Sequence, residues 1–409
     1  MKAIAGIECY HDRLVSMDSV GTLTRSRCRL LMVGLVLGFA ARGFFVPMAS
    51  VLSSDTTGAW LEAGLHRIEA LEHSEPLQDI ARTVAPSSST DTGTCEAVEP
   101  VIRSKPPQNR NISEFLEGTG LTDTSGDYAA CEFRPYQYSK HFPHTMQQLY
   151  RCLSWWMSNP GKQPVLVGGS RDIRERGSAI SVGFLRALDD VFNVSLVEGW
   201  NASSVHALDL FGYDFALPQH AANLRRAVVD HYHLNNQNFA GCKDSTIALP
   251  SVRIVDRQSS RNLKNVDALL REIRNRVGVR ADVVYFEEMT FLEQVKAMNA
   301  ADIVISPHGG QLVSLPFMPT CGAVLEIFPK GLFIPEFFGS LAVASGLNHS
   351  VLYQGPNRTG DIEVGMKNVR KRRQIRRRPV CVDIAKVVSF VLERIGEWRQ
   401  CCRDLQNVQ

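Results

Sequence analysis

"ADIVISPHGGQLVSLPFMPTCGAVLEIFP", Ala301–Pro329, joins two apolar runs through His308, Gly309 and Gly310. The Val/Ile content of "DIVIS" and "AVLEIF" predicts strands buried on both faces, as in a parallel sheet covered by helices. Ligands of such sheets bind at the carboxyl ends of the strands, where the His-Gly-Gly turn falls. Two glycines let backbone N–H groups approach a ligand without an intervening Cβ. A helix opening at "QLVSL" would add its positive end, giving a cradle for a diphosphate. His308 is then placed to donate to a phosphate oxygen or a leaving group, although a plain glycine turn with a structural histidine fits the same residues. Glu326 stands inside the second run, where an ionised carboxylate is costly unless satisfied. The hydroxyls of a nucleotide ribose would satisfy it, and so would a buried ion pair with an arginine.

The same alternation extends outward. "SVRIVDR", "ADVVYFEE" and "SVLYQG" read as further strands, separated by the helical patterns "NVDALLREIRNRVG", "TFLEQVKAMNAAD" and "IPEFFGSLAVASG". Earlier in the chain, "QPVLVGGSRD" (Gln163–Asp172) and "VSLVEG" (Val194–Gly199) repeat the theme. The fold class is therefore α/β, with two Rossmann-like halves over 127–250 and 251–365. A basic loop (366–380) and a closing helix (381–409) follow, the helix carrying Ile384, Val388, Val391, Ile395 and Trp398 on one stripe. In "DRQSSRNLKN" (Asp256–Asn265), Arg257 and Arg261 lie four apart in a Ser/Asn-rich loop, where both guanidinium forks can grip phosphate oxygens.

"SVRIVDRQSSRNLKN", "VVYFEEMTFLEQVKAMNAADIVISPHGGQLVSLPFMP" and "AVLEIFP", in this order and spacing over Val252–Tyr353, resemble the catalytic domain of glycosyltransferase family 61. "HFPHTMQQLYRC" (His141–Cys152) resembles the family's histidine-containing N-terminal motif more weakly. The resemblance implies a GT-B fold of two domains facing a cleft, a nucleotide-sugar donor, often UDP-linked, and inverting transfer to a glycan or glycoprotein acceptor. It also implies a type II protein of the secretory pathway. By position, Arg257, Arg261, His308, Gly309 and Glu326 would form the donor site, with Gly310 where the family usually has alanine and Glu287 at the rim.

Inverting transfer needs a base for the acceptor hydroxyl. His144 aligns with the family histidine and His141 lies beside it, but Gln147 and Gln148 stand where an acid often follows. A catalytically inactive lumenal binding protein with the same fold is therefore the alternative. Trp155 and Trp156 offer a stacking surface for sugar or fill the core. No Asp-x-Asp pair occurs, so the arginines rather than a metal are expected to neutralise the diphosphate; a supporting divalent ion stays open. "DHYH" (Asp230–His233) reads as a solvated helix face rather than a metal site. The absence of G-x-G-x-x-G and P-loop motifs argues against dehydrogenase and sulfotransferase chemistry.

The net charge of +3 conceals a tract, "KNVRKRRQIRRR" (Lys367–Arg378), whose eight charges removed take the net to −5. The body is mildly acidic, which argues against nucleic acid as partner. The tract reads as a solvated loop, or as a surface for an acidic glycan or membrane. "LLMVGLVLGFAARGFFVPMASVL" (30–52) is long enough to span a bilayer at about 20 residues. Arg25, Arg27 and Arg29 precede it, so a cytosolic tail (1–29), a signal anchor and a stem (53–126) are expected, with a cleaved signal as the rival. Glycosylation acceptors at Asn111, Asn193, Asn201, Asn348 and Asn357 all follow the span. Eight of the ten cysteines do too, without zinc-type spacing. A Golgi or endoplasmic reticulum membrane location is the expectation.

Overall fold

The computed structural model describes residues 100–103, 126–133, 141–198, 206–207, 215–234, 242, 249–356, 358–360 and 369–408. The tail, the span, most of the stem, and Asn111, Asn201 and Asn357 lie outside the described residues. Among the described residues, no helix is long and apolar enough to cross a membrane.

Two sheets organise the chain. The smaller one has strand order β4-β3-β2-β5, from Tyr128–Glu132 (β2), Gln163–Val167 (β3), Ser195–Val197 (β4) and His206–Ala207 (β5), all parallel. Helices α1 (Phe142–Met157), α2 (Ser170–Arg176), α3 (Ala179–Phe192) and α4 (Pro218–His231) belong to this half. The larger sheet runs β1-β10-β9-β8-β6-β7. Its strands are Val252–Asp256 (β6), Ala281–Tyr285 (β7), Ile303–Pro307 (β8), Ala323–Pro329 (β9) and Asn348–Gln354 (β10), joined in parallel. Between them lie α5 (Val266–Glu272, continued by a π turn), α6 (Phe291–Asn299), a 3₁₀ helix (Gly310–Phe317) and α7 (Pro335–Ala344). Thr290 and Glu293 close a capping box at the start of α6, fixing where that helix begins.

Two findings depart from the sequence reading. Ile102–Arg103, within the expected stem, forms β1 and pairs antiparallel with Val351 and Ser350 of β10, so part of that segment belongs to the sheet. The basic tract is not a loop throughout: Val369–Ile375 forms a helix, α8, anchored by the buried Ile375. The closing helix α9 runs over Ile384–Val408.

Alternation along the strands decides the layers. Ile254, Ile303, Ile305, Leu325 and Ile327 point to one face, where α9 covers them with Val387, Phe390 and Val391. Val255, Val304 and Val324 point to the other, into a cluster that also contains α1, α3 and α4 of the first half. Phe184 of α3 packs on Phe291 (5.4 Å) and Phe317 (6.4 Å), and Tyr150 Oη of α1 donates to Val313 O at 2.8 Å. The two halves thus share one apolar core, in which Trp155 and Trp156 are buried at 3% and 5% exposure. That burial gives the tryptophans to the core rather than to an open sugar platform.

Disulfides tie Cys131 to Cys152, Cys242 to Cys402, and Cys321 to Cys401. Cys381 is also disulfide-bonded. The neighbours Cys401 and Cys402 therefore clamp α9 both to the segment between the halves and to the turn before β9.

Candidate functional site

Glu326 faces the layer shared by the halves, because Leu325 and Ile327 take the opposite face of β9. It is fully buried, and both carboxylate oxygens are used. His308 Nδ1, at the end of β8, lies 2.6 Å from Oε1, and His349 Nε2, on β10, lies 3.0 Å from Oε2. The ribose role expected for Glu326 does not fit this geometry, and neither does an ion pair with arginine. The carboxylate is held by histidines from the strands on either side.

Burial alone would raise the Glu326 carboxyl, but the hydrogen bonds and charges of His308, and then of His349, hold it below the usual range. Glu326 is therefore ionised, and each facing ring nitrogen carries a proton. Burial lowers the His308 imidazole, Glu326 opposes that, and the charges of Arg261 and Arg376 push it down further. At neutral pH His308 is accordingly uncharged, with Nδ1–H donating to Glu326 and Nε2 bare. Its ring stacks on Phe328 (4.8 Å) and tilts against Phe338 (5.6 Å), so its orientation is fixed by packing as well as by Glu326.

The arginine loop begins where β6 ends. Asp256, buried, accepts from Leu263 N at 2.9 Å and folds the loop back on itself. Arg261 sits in left-handed backbone (φ 61°), a conformation that a non-glycine residue adopts only when its surroundings impose it. Arg257 Nη1 donates to Gln311 Oε1 at 3.2 Å, while Gln311 Nε2 donates to Pro307 O at 2.7 Å and Ser306 Oγ at 3.1 Å. Glu287 is exposed at the rim, 4.0 Å from Arg257 Nε, and accepts from Gln258 N. The Nε atoms of Arg257 and Arg261 are buried without a hydrogen-bond partner. Burial first, then Arg257 and Arg376, push Arg261 down to about 9, with Glu326 opposing. Unpartnered buried guanidinium N–H groups are costly, and an anion in this place relieves them.

The glycines are explained by close approach. A Cβ on Gly309 would lie 2.3 Å from Gln311 Oε1 and 2.5 Å from Arg257 Nη1. A Cβ on Gly310 would lie 2.9 Å from Pro143 Cγ and 3.0 Å from Phe142 Cζ, because the N-terminus of α1 presses on the turn. That contact brings the first half's histidines to the site. His144 meets Phe337 edge-on at 5.7 Å, and Phe337 in turn packs on Phe338 beside His308. His141 lies 4.8 Å from His144. Loss of solvent lowers both rings, His141 to about 4, with Arg376 pressing on each.

The structure thus brings together Arg257, Arg261, His308, Gly309, Gly310 and Glu326, with Glu287 at the edge and His144 approaching from the other half. Gln147 and Gln148 are buried in α1. Asp230–His233 ends α4, and its four side chains do not form a metal-ligand cluster among the described residues; the cluster with such spacing is Cys242, Cys321 and Cys402, which are disulfide-bonded. Asn193 and Asn348 are exposed. Sequence reading missed His349, Asp256 and Arg376. A histidine in the otherwise buried strand "NHSVLYQ", one strand from Glu326, was the available signal for the first.

Residues 142–325 match the model of the family described as Glycosyltransferase 61. The match begins at α1 and ends one residue short of Glu326. Similar proteins are each named protein O-linked-mannose beta-1,4-N-acetylglucosaminyltransferase 2. The one from Tetraodon nigroviridis is 32% identical over 97 residues, 23% of this chain and 17% of the relative. Those from Mus musculus (31% over 99 residues) and Homo sapiens (30% over 99 residues) each cover 24% of this chain and 17% of the relative. The matched region is thus about a sixth of these relatives' length. Among solved structures, a 5,10-methylenetetrahydrofolate dehydrogenase from the silkworm Bombyx mori aligns at TM-score 0.14 and 8% identity, covering 66% of this chain and 98% of that one; a likeness this slight carries no argument.

Proposed function

We propose that this protein is an inverting glycosyltransferase of the secretory pathway that moves a sugar from a UDP-linked donor to a glycan or glycoprotein. One observation carries the reading: two half-buried arginines, whose Nε atoms are buried and unpartnered, stand beside a histidine whose position is held by an ionised carboxylate. In this reading the two sheets form a GT-B arrangement. The larger sheet holds the donor at Arg257, Arg261 and the Gly309–Gly310 turn.

The diphosphate neutralises the arginines, and its negative charge favours the imidazolium form of His308. His308 then takes up a proton at Nε2 and donates it as a hydrogen bond to a phosphate oxygen, while Glu326 compensates the new charge through Nδ1. Charge developing on the leaving diphosphate is stabilised by groups already in place. His144, neutral and approaching from the first half, takes the proton of the acceptor hydroxyl as the anomeric bond breaks. No step is assigned to a metal. The oxidised cysteines and the exposed Asn193 and Asn348 support a lumenal setting. The relatives' name makes N-acetylglucosamine the first sugar to test.

Titration calorimetry with UDP tests the donor site. The wild-type protein should bind UDP, and Arg261→Gln should weaken binding by about 1.5–3 kcal/mol, the scale of hydrogen bonds to charged groups. Equal affinity in a folded Arg261→Gln variant would remove the arginine loop from the site.

A further inference from the structure

The basic tract is attached to the arginine loop. Val380 N donates to Asn262 O at 2.8 Å, and Lys264 N donates to Val380 O at 2.9 Å. Leu263 and Val380 form a parallel bridge. Asn265 closes two more bonds with the backbone of Val382, at 2.8 and 3.0 Å. These contacts begin one residue after Arg261, so α8 and the turn after it are held at the edge of the site. Arg376 lies close enough for its charge to act on His141 and His144 of the first half and on Arg261 and His308 of the second.

Arg370, Arg373, Arg377 and Arg378 are exposed, and among the described residues no carboxylate pairs with them. Lys367–Arg378 contains no acid. Four such cations within nine residues raise the local concentration of anions. In the proposed reading, His144 on the neighbouring side of the site receives the acceptor. A membrane surface suits this patch less well. Basic membrane-binding faces interleave bulky apolar side chains with their cations, whereas the exposed large hydrophobics among the described residues are Tyr128 and Leu405, both outside the tract.

We infer that Arg370–Arg378 forms an anion-binding rim on the acceptor side of the cleft and selects glycan acceptors that carry acidic groups. The inference rests on the proposed transferase reading, since it is that reading which makes the His144 side the acceptor side. Arg376 closes the inner end of the rim, and Arg373, Arg377 and Arg378 extend it outward.

The test uses the full chain, saturated with UDP so that Arg257 and Arg261 are occupied. Binding of a galacturonate hexamer, neutral maltohexaose and vesicles containing phosphatidylserine is measured at low and high salt. The galacturonate hexamer should bind, weaken steeply with salt, and bind about tenfold less well to the Arg373→Gln/Arg377→Gln/Arg378→Gln variant, as removal of several exposed charge contacts implies. Maltohexaose should bind neither protein, and UDP affinity should be the same for both. Equal binding of both oligosaccharides, salt-independent binding in the wild type, or an unchanged variant would each overturn the rim. Vesicle binding lost in the variant without any hexamer binding would assign the tract to a lipid surface and overturn it as well. Failure of the wild type to bind UDP at all would instead count against the transferase reading.

Discussion

A carboxylate shared by two buried histidines sets the chemistry available to His308. If Glu326 positions and compensates His308, UDP binding at pH 7 should draw about one proton from solution, because the diphosphate favours the charged ring. Calorimetry in buffers of different ionisation enthalpy reads this directly, and UDP affinity should rise as pH falls toward 6. His308→Ala should abolish the proton uptake. Glu326→Gln should abolish it too, yet leave binding of uridine, which has the ribose but no phosphate, unchanged. A loss of uridine affinity in Glu326→Gln would restore the ribose role and refute the present assignment. In the sequence, Glu326 was legible as an acid needing a partner, and His308 as a ligand-facing residue. Their pairing was not, since register between β8, β9 and β10 brings them together and no spacing encodes it.

At the scale of single elements, the His-Gly-Gly turn and the 3₁₀ helix after it separate two kinds of glycine. Gly309→Ala drives a methyl into Gln311 and Arg257, both of which serve the donor site. UDP affinity should fall about tenfold, equal to about 1.4 kcal/mol, with little change in melting temperature, since both obstructing groups are side-chain ends. Gly310→Ala meets Pro143 and Phe142 at 2.9–3.0 Å, so a small shift of α1 absorbs it. Its UDP affinity should stay within about twofold, a change of about 0.4 kcal/mol. Equal losses in the two variants would contradict this division. The strands and helices of the second half were legible because Val/Ile runs and amphipathic periods alternate there cleanly. The helix in the basic tract was not, because five of its seven residues are polar and leave no apolar period to read.

For the whole molecule, the shared apolar core and the disulfides matter more than either sheet alone. Removing the Cys242–Cys402 link with a Cys242→Ser/Cys402→Ser double variant should cost about 2–5 kcal/mol of unfolding free energy, read from denaturant titration. Acid should also weaken the fold. His141, His144 and His308 all have folded-state values below the ordinary 6.5, so the unfolded chain takes up protons first. Stability should therefore decline as pH falls from about 6.5 toward 4, and the share held by ionised Glu326 goes last. A flat stability profile over that interval would show these rings to be solvated. The pairing of halves through Phe184, Phe291 and Phe317 was invisible in sequence, because apolar helix faces do not name their partners. The α9 segment has a consequence in time. It supplies Val387, Phe390 and Val391 to one face of the larger sheet and both cysteines of the clamp, yet it is the last of the described elements to leave the ribosome. Until it arrives, a nascent chain displays the isoleucines of β6, β8 and β9 to solvent and to chaperones. A chain interrupted before Ile384 should then be cleared as a folding failure rather than persist as a shorter enzyme.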